Sequence, residues 1–164
     1  MVNQPNNTLN LFWAFSLSAF LALVLMILQV NQILVFWPEW MALVIIYWAL
    51  MVPDRIGPLV GFITGTLLDV LLVRNFGVLG FGLASLAFVV NRTHLQLRVL
   101  SLWQQTVVIG LFIGIFKLIT GWLYGLTSDL TLSAAYFYPS LGSMLMWPFA
   151  FILLQELRRK ARIA

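Results

Sequence analysis

The chain has 164 residues, of which 62% are apolar and only 9% are charged, and its mean hydropathy is +1.01. A soluble domain carries about a quarter charged residues, and a chain this short cannot hide so much apolar surface from water. The composition therefore excludes a soluble domain and predicts an integral membrane protein. The net charge of +4 does not indicate nucleic-acid binding, because the basic residues lie in short loops and in the C-terminal tail.

Rare side chains limit the possible chemistry. The chain has no cysteine and one histidine, His94, which excludes disulfides, thiolate metal sites and a cysteine nucleophile and leaves too few ligands for a histidine metal cluster. Neither GxxxxGK[ST] nor HExxH occurs. Ser128 and Ser133 are expected on the opposite membrane face from His94, so a serine hydrolase is unsupported. We expect no enzymatic activity, no cofactor and no metal.

Six apolar runs approach the roughly 20 residues that a helix needs to cross a bilayer. They predict a single domain (1–164) with six transmembrane helices in one bundle. The predicted spans are residues 11–29, 38–52, 57–73, 76–90, 100–124 and 134–154. The polar segment 91–98 is expected to be a loop. No basic residue precedes the first run and no cleavage site follows it, so we expect that run to remain in the membrane.

Basic residues set the expected orientation, because cytoplasmic loops are enriched in lysine and arginine. Cytoplasmic N and C termini would place seven basic residues inside and only Arg74 outside, with Lys117 in the membrane. The seven inside are Arg55, Arg92, Arg98, Arg158, Arg159, Lys160 and Arg162. Both termini are therefore predicted to be cytoplasmic, and the basic tail is expected to attract anionic lipid as a side effect.

The segment from Pro53 to Gly82 concentrates turn and packing signals. A turn is predicted between the second and third spans, at Pro53, Asp54, Arg55 and Gly57. Gly61, Gly65 and Asp69 then recur four residues apart, which places them on one helix face.

This face, together with Gly77 and Gly80 at the start of the fourth span, predicts close helix packing, because glycines let another backbone approach. The partner could be a helix of the same bundle, a helix of another protein or a second copy of the chain. We hypothesise that the face docks a partner helix.

Asp69 and Lys117 are expected at similar depths, which predicts an intramembrane ion pair that offsets the cost of burying each charge. Three interpretations of Asp69 stay open: a polar link between helices, an anchor for a partner's transmembrane helix, or part of a proton or ion relay. Lys117 could instead extend its charged end toward the interface.

Trp37, Pro38, Glu39 and Trp40 predict an interfacial anchor at the start of a helix. Proline suits the first helical position, an acid complements the helix dipole, and tryptophans suit the headgroup layer. Glu39 is interpreted as a helix-start acid, with a buried functional carboxylate as the alternative.

These landmarks, in this order, resemble the bacterial rod shape-determining MreD family. They are Trp37-Pro38-Glu39-Trp40, Tyr47-Trp48, Pro53-Asp54-Arg55-Ile56-Gly57, the GFxxGxLLDVL stretch from Gly61 to Leu71, Leu79-Gly80 and Trp103-Gln104. The similarity covers most of the chain. One departure is Gly82-Leu83, where the family pattern has a polar residue and alanine.

The resemblance implies a non-enzymatic scaffold subunit in the bacterial cytoplasmic (inner) membrane, with a six-helix fold similar to the substrate-binding subunits of energy-coupling-factor vitamin transporters. It also implies work with the bitopic protein MreC, with the MreB cytoskeleton, and with peptidoglycan synthesis by RodA and its partner transpeptidase.

The alternative is a transporter subunit that binds a vitamin-like ligand. It would need polar or aromatic groups that converge on a cavity open to the outside. The candidates on that side are Trp37, Glu39, Arg74, Asn75 and Asp129.

Overall fold

The computed structural model describes residues 6–28, 36–73, 75–127 and 134–161. Within these ranges the chain is entirely helical, which confirms the predicted all-α class. The helices are α1 (Asn6–Ile27), α2 (Trp40–Met51), α3 (Pro58–Leu71), α4 (Val78–Val99), α5 (Leu102–Thr127) and α6 (Tyr138–Lys160), with a 3-10 turn at Ala134–Phe137.

Helix α2 lies at the centre of the bundle. Every residue from Met41 to Leu50 is buried, and the helix packs against α1, α4 and α6. Its sequence is apolar on all sides, which in a helix favours burial on all sides. The Tyr47 ring packs edge to face on Trp48 at 5.6 Å and on Phe151 of α6 at 5.5 Å. Helix α3 packs on α4, and α5 packs between α4 and α6, so α3 and α5 join the bundle through α4 and α6.

The six helices differ in length. Four are long and apolar enough to cross a membrane, namely Thr8–Ile27, Val78–Val99, Leu102–Leu126 and Tyr138–Lys160. They fit a multi-pass membrane protein. Helices α2 and α3 have 12 and 14 residues, or about 18 and 21 Å at 1.5 Å per residue, which is less than the roughly 30 Å hydrocarbon layer.

The predicted loop at residues 91–98 is wrong, because α4 continues without a break to Val99. No glycine or proline lies between Leu83 and Val99, so nothing in the local sequence ends the helix. One polar side chain of this part, Arg98, binds carbonyl groups at the end of α2. Arg98 Nε donates to the Leu50 carbonyl at 3.0 Å, and its Nη2 donates to the Met51 carbonyl at 2.8 Å.

The structure forms a turn at the position predicted between α2 and α3. The N–H groups of Arg55 and Ile56 donate to the Val52 carbonyl at 3.2 and 2.9 Å. Asp54 and Arg55 are exposed. Gly57 is the N-cap of α3, and Pro58 takes the first helical position, where its missing N–H costs nothing.

Other helix boundaries differ from the predicted spans. Helix α2 begins at Trp40, two residues later than expected, so Pro38 precedes the N-cap Glu39. Helix α6 extends beyond residue 154, and its last turn holds Arg158, Arg159 and Lys160. Cations stabilise the negative end of a helix dipole, so the basic tail that indicated orientation also favours this longer helix.

Candidate functional site

Asp69 binds the amino-terminal end of a neighbouring helix. Its side chain is fully buried, and Oδ2 accepts the backbone N–H of Leu79 at 3.0 Å and that of Gly80 at 3.4 Å. These are N–H groups of the first turn of α4, which lack carbonyl partners within their own helix. The positive end of the α4 dipole favours a carboxylate at this point, so the first turn of α4 stabilises the buried charge.

Gly77 allows α4 to begin next to Asp69. It is the N-cap of α4 and has φ +87°, a left-handed conformation that glycine adopts without steric cost. Because the N-cap residue is a glycine, it has no side chain that could accept a hydrogen bond from the helix. Asp69 of α3 therefore provides, from another helix, the acceptor that a serine or aspartate usually provides locally.

The glycines of α3 let its backbone touch that of α4. A Cβ atom on Gly61 would lie 2.7 Å from the Leu83 carbonyl oxygen, and one on Gly65 would lie 2.5 Å from the Leu79 oxygen and 2.6 Å from the Gly80 Cα. A Cβ on Gly80 would collide with the Thr66 hydroxyl. Close contact of this kind is the packing that small residues four apart permit.

The position of this face contradicts the hypothesis that it docks a partner helix. Gly61, Gly65 and Asp69 are all buried, and α4 of the same chain already covers them. A second helix has no room there, since even one added methyl group would meet backbone atoms. The face is a packing surface within the bundle.

The predicted ion pair between Asp69 and Lys117 is also wrong. Lys117 Nζ pairs with Glu39 Oε1, and among the described residues no ion pair joins Lys117 to Asp69. Glu39 lies at the start of α2 and Lys117 in the middle part of α5, and the packing of the helices brings the two side chains together.

Lys117 lies in a cluster of polar groups that we call the Glu39–Lys117 cluster, defined by Glu39, Lys117, Thr120, Tyr136 and Ser143. Lys117 Nζ lies 4.6 Å from the centre of the Tyr136 ring, a distance suited to a cation–π interaction. The Tyr136 hydroxyl and Thr120 Oγ1 are 3.1 Å apart and share a hydrogen bond. Ser143 Oγ accepts the backbone N–H of Glu39 at 2.8 Å and donates to the Pro139 carbonyl at 2.7 Å.

The cluster is mostly closed to solvent. The side chains of Lys117 and Glu39 are 11% and 18% exposed, and a buried charge is stable only when it is paired and hydrogen-bonded. Chemically, the arrangement neutralises one acid and one base across two helices. Among the described residues, no group of three His, Cys, Asp or Glu side chains could share a metal ion.

The predicted interfacial anchor packs into the bundle. Pro38 is buried, while Trp37, Glu39 and Trp40 are half-buried. Trp37 Nε1 donates to the Leu25 carbonyl of α1 at 3.1 Å, and the Trp37 and Trp40 rings meet edge to face at 6.3 Å. Glu39 occupies the N-cap, but its carboxylate makes no cap hydrogen bond and turns to Lys117 instead.

Sequence reasoning missed Tyr136, whose ring faces Lys117, and it missed Thr120 and Ser143, which bind the Tyr136 hydroxyl and the Glu39 backbone N–H. It also missed the contact of Asp69 with the start of α4. Two signals were present. Helix α4 starts without a capping side chain, which requires an acceptor from elsewhere. The apolar run after Glu39 is too short for a helix that connects the two surfaces of a membrane. Arg74 and Asp129, which the vitamin-binding alternative used, lie outside the described residues, and Asn75 lies in the connection from α3 to α4.

Comparisons with known proteins agree on one family. The family model described as rod shape-determining protein MreD matches residues 6–157. Rod shape-determining protein MreD of Haemophilus influenzae is 30% identical over 131 residues, which cover 77% of this chain and 78% of the relative. No solved structure matches the chain. The match along nearly the whole chain, on a bundle of apolar helices, shows that the protein belongs to the MreD family of rod shape-determining proteins.

Proposed function

We propose that the protein is a non-enzymatic scaffold subunit of the rod-shape complex in the bacterial inner membrane. It docks the bitopic partner MreC and, through the complex, supports peptidoglycan synthesis by RodA and its partner transpeptidase in coordination with MreB. The observation that carries the proposal is the family match over residues 6–157. Family membership gives the role in rod-shape determination, and the named partners are the proposed extension of it.

In this proposal all six helices lie within the bilayer, with both termini in the cytoplasm. The short helices are compatible with that arrangement, because α2 is surrounded by α1, α4 and α6 and need not meet lipid along its length. Buried non-helical backbone at membrane depth is tolerated when protein satisfies it. The N–H of Glu39, which donates to Ser143, is an example.

Partner docking must use a surface other than the glycine face of α3, since α4 covers that face. The opposite face of α3 is apolar and exposed, with Leu59 72%, Ile63 59% and Leu67 57% exposed. An apolar surface of this kind meets either lipid or a partner's helix, and helices in membranes associate through packing of such faces. We propose this face as one place where MreC or a second copy of the chain could pack.

Co-purification after co-expression with MreC tests the scaffold function. The expected result is a complex that survives in detergent, with a stoichiometry fixed by mass measurement that also reveals any homodimer. An unrelated bitopic protein with the same tag and detergent is the control. A folded protein that purifies alone under conditions where MreC is intact would contradict the proposal.

The second candidate is the subunit that binds a vitamin-like ligand, and the Glu39–Lys117 cluster is the observation that favours it. The cluster places two charges and a tyrosine near the predicted outer side. These groups are engaged with one another, however, and the cavity between α4 and α5 around Leu86 and Phe116 is lined mainly by apolar side chains. A rise in melting temperature with a small vitamin-like ligand, in protein free of MreC, would favour this candidate.

A further inference from the structure

A groove opens on the side of the bundle between α1 and α6, with α2 as its floor. Ala22 of α1, Leu43 of α2 and Ala150 of α6 are buried along it, and its volume is about 230 Å³. Alanine on both facing helices creates the space, because neither side chain is long enough to fill it. Leu21 and Leu153 at the rims are 49% and 56% exposed, so the groove is open to the surroundings of the bundle.

Most of the lining of the groove is apolar. Ser18 is the polar residue of α1 that lines it, and its hydroxyl is already engaged. Ser18 Oγ donates to the Phe15 carbonyl at 2.8 Å and accepts the Trp48 indole N–H at 3.0 Å. A polar ligand would gain little there, whereas an apolar chain would bury surface at about 25 cal/mol per Å².

The length of the groove suits an acyl chain. Along α6 the lining runs from Ala150 to Lys160, or about 15 Å of helix. This is half of the roughly 30 Å hydrocarbon layer, the depth that one leaflet provides.

Charge is confined to one end of the groove. Glu156 and Lys160 are the charged residues in its lining, and both lie near the end of α6. Glu156 Oε2 is paired with Arg159 Nη2 at 2.9 Å, while Lys160 forms no ion pair within the described ranges. Asn10 Nδ2 donates to the Ala161 carbonyl at 3.0 Å, which joins the start of α1 to the end of α6 beside this basic end.

We propose that the groove holds one acyl chain of an anionic phospholipid from the cytoplasmic leaflet, with the lipid phosphate at Lys160. The apolar walls supply burial for the chain, and Lys160, the lining cation that has no ion pair among the described residues, supplies charge complementarity to the headgroup. The proposal goes beyond scaffold function and uses the predicted cytoplasmic position of the C terminus, where anionic lipids are enriched. The site is separate from the α3–α4 junction.

Native mass spectrometry of the purified full-length chain tests the proposal. The protein is exposed to equal amounts of phosphatidylglycerol and phosphatidylcholine with identical acyl chains. We expect one retained lipid per chain and about a fivefold preference for phosphatidylglycerol, which corresponds to roughly 1 kcal/mol for one basic residue near an anionic surface. Equal retention of the two lipids by the unmodified protein would overturn the proposal.

Matched variants assign the lipid to the groove. Lys160→Gln should abolish the preference, Lys160→Arg should keep it, and Arg92→Gln, which removes an exposed charge elsewhere on the predicted cytoplasmic side, should also keep it. If Lys160→Gln and Arg92→Gln reduce the preference equally, the headgroup site is not at Lys160 and the proposal is wrong.

A substitution that fills the groove tests whether an acyl chain lies in it. Ala150→Phe should remove retention of both lipids, whereas Leu145→Phe, on the exposed face of α6 with Leu145 76% exposed, should not. If Ala150→Phe does not fold, a photo-reactive group at Leu153 in membranes replaces it. Cross-linking to lipid supports the proposal, and cross-linking to a helix of another protein overturns it.

Discussion

Among the described residues, two charged side chains, Asp69 and Lys117, are buried, and the contacts that hold them differ. Asp69 is fully buried, and its carboxylate is held by backbone N–H groups of α4. Lys117 is 8% exposed, and it is held by the carboxylate of Glu39 and the ring of Tyr136. The contacts of Asp69 with α4 use backbone groups that any sequence provides, whereas those of Lys117 depend on particular side chains from different elements.

The difference determines what each charge contributes. Asp69 ties α3 to α4, and its contacts exist only because glycines let the two backbones come close. The Glu39–Lys117 pair ties the start of α2 to α5, which are not neighbours in the sequence. Loss of a side chain is therefore expected to be more damaging at the pair, and loss of close approach more damaging at the α3–α4 junction.

The largest expected effect is that of Lys117→Leu. The substitution leaves the Glu39 carboxylate buried without its ionic partner, a change that costs about 3 to 5 kcal/mol in buried pairs. The free energy of unfolding in detergent measures it, with Leu118→Ala, at the exposed neighbouring position, as the control. A loss below about 1 kcal/mol would mean that water or lipid headgroups satisfy Glu39.

Gly65→Ala is expected to have the next largest effect. The new Cβ would meet backbone atoms at 2.5 and 2.6 Å, and overpacking of this kind typically costs about 1 to 3 kcal/mol. Gly114→Ala is the matched control, because a Cβ there has nothing within 4 Å. The control should be neutral or should stabilise by up to about 1 kcal/mol, since alanine favours helix over glycine.

The Gly65→Ala variant also shows whether this face packs on α4 within the bundle or binds a partner helix. If the bundle of the Gly65→Ala variant keeps full stability and only MreC binding is lost, the face meets a partner and its assignment to internal packing is incorrect. The same unfolding curves and a parallel co-purification distinguish the two outcomes.

Asp69→Asn should have the smallest effect of the three. The amide keeps an acceptor oxygen for the N–H groups of Leu79 and Gly80 but loses the charge, and charged hydrogen bonds exceed neutral ones by about 1 kcal/mol. Hydrogen exchange of those two amides should become faster, while exchange in α5 near Lys117 should not change. Equal acceleration at both places would show that the two charges are coupled.

The sequence predicted well what local spacing determines. Six helices follow from apolar runs, and the turn at Pro53–Gly57 follows from proline and glycine. The spacing of Gly61, Gly65 and Asp69 identified a helix face made for close contact, but spacing on one helix does not say which helix fills it.

The errors have a common physical cause, which is that tertiary partners cannot be inferred from local pattern. The segment at Asn91–Arg98 is part of a helix and not a loop. Its Arg98 binds the end of α2, and its Asn91 binds the Pro53 carbonyl in the turn that follows. Equal depth in two predicted spans does not identify the acid that Lys117 meets, because the pairing depends on how the helices pack. The start of α2 brings Glu39 to Lys117, and the first turn of α4 meets Asp69.

A pair of double-mutant cycles tests most directly the claim that the two buried charges are stabilised separately. One cycle combines Glu39→Gln with Lys117→Gln, and the other combines Asp69→Asn with Lys117→Gln, with unfolding free energies measured in the same detergent. We expect a coupling energy of about 1 to 3 kcal/mol in the first cycle and additivity within about 0.5 kcal/mol in the second. Coupling between Asp69 and Lys117, with additivity between Glu39 and Lys117, would contradict the account.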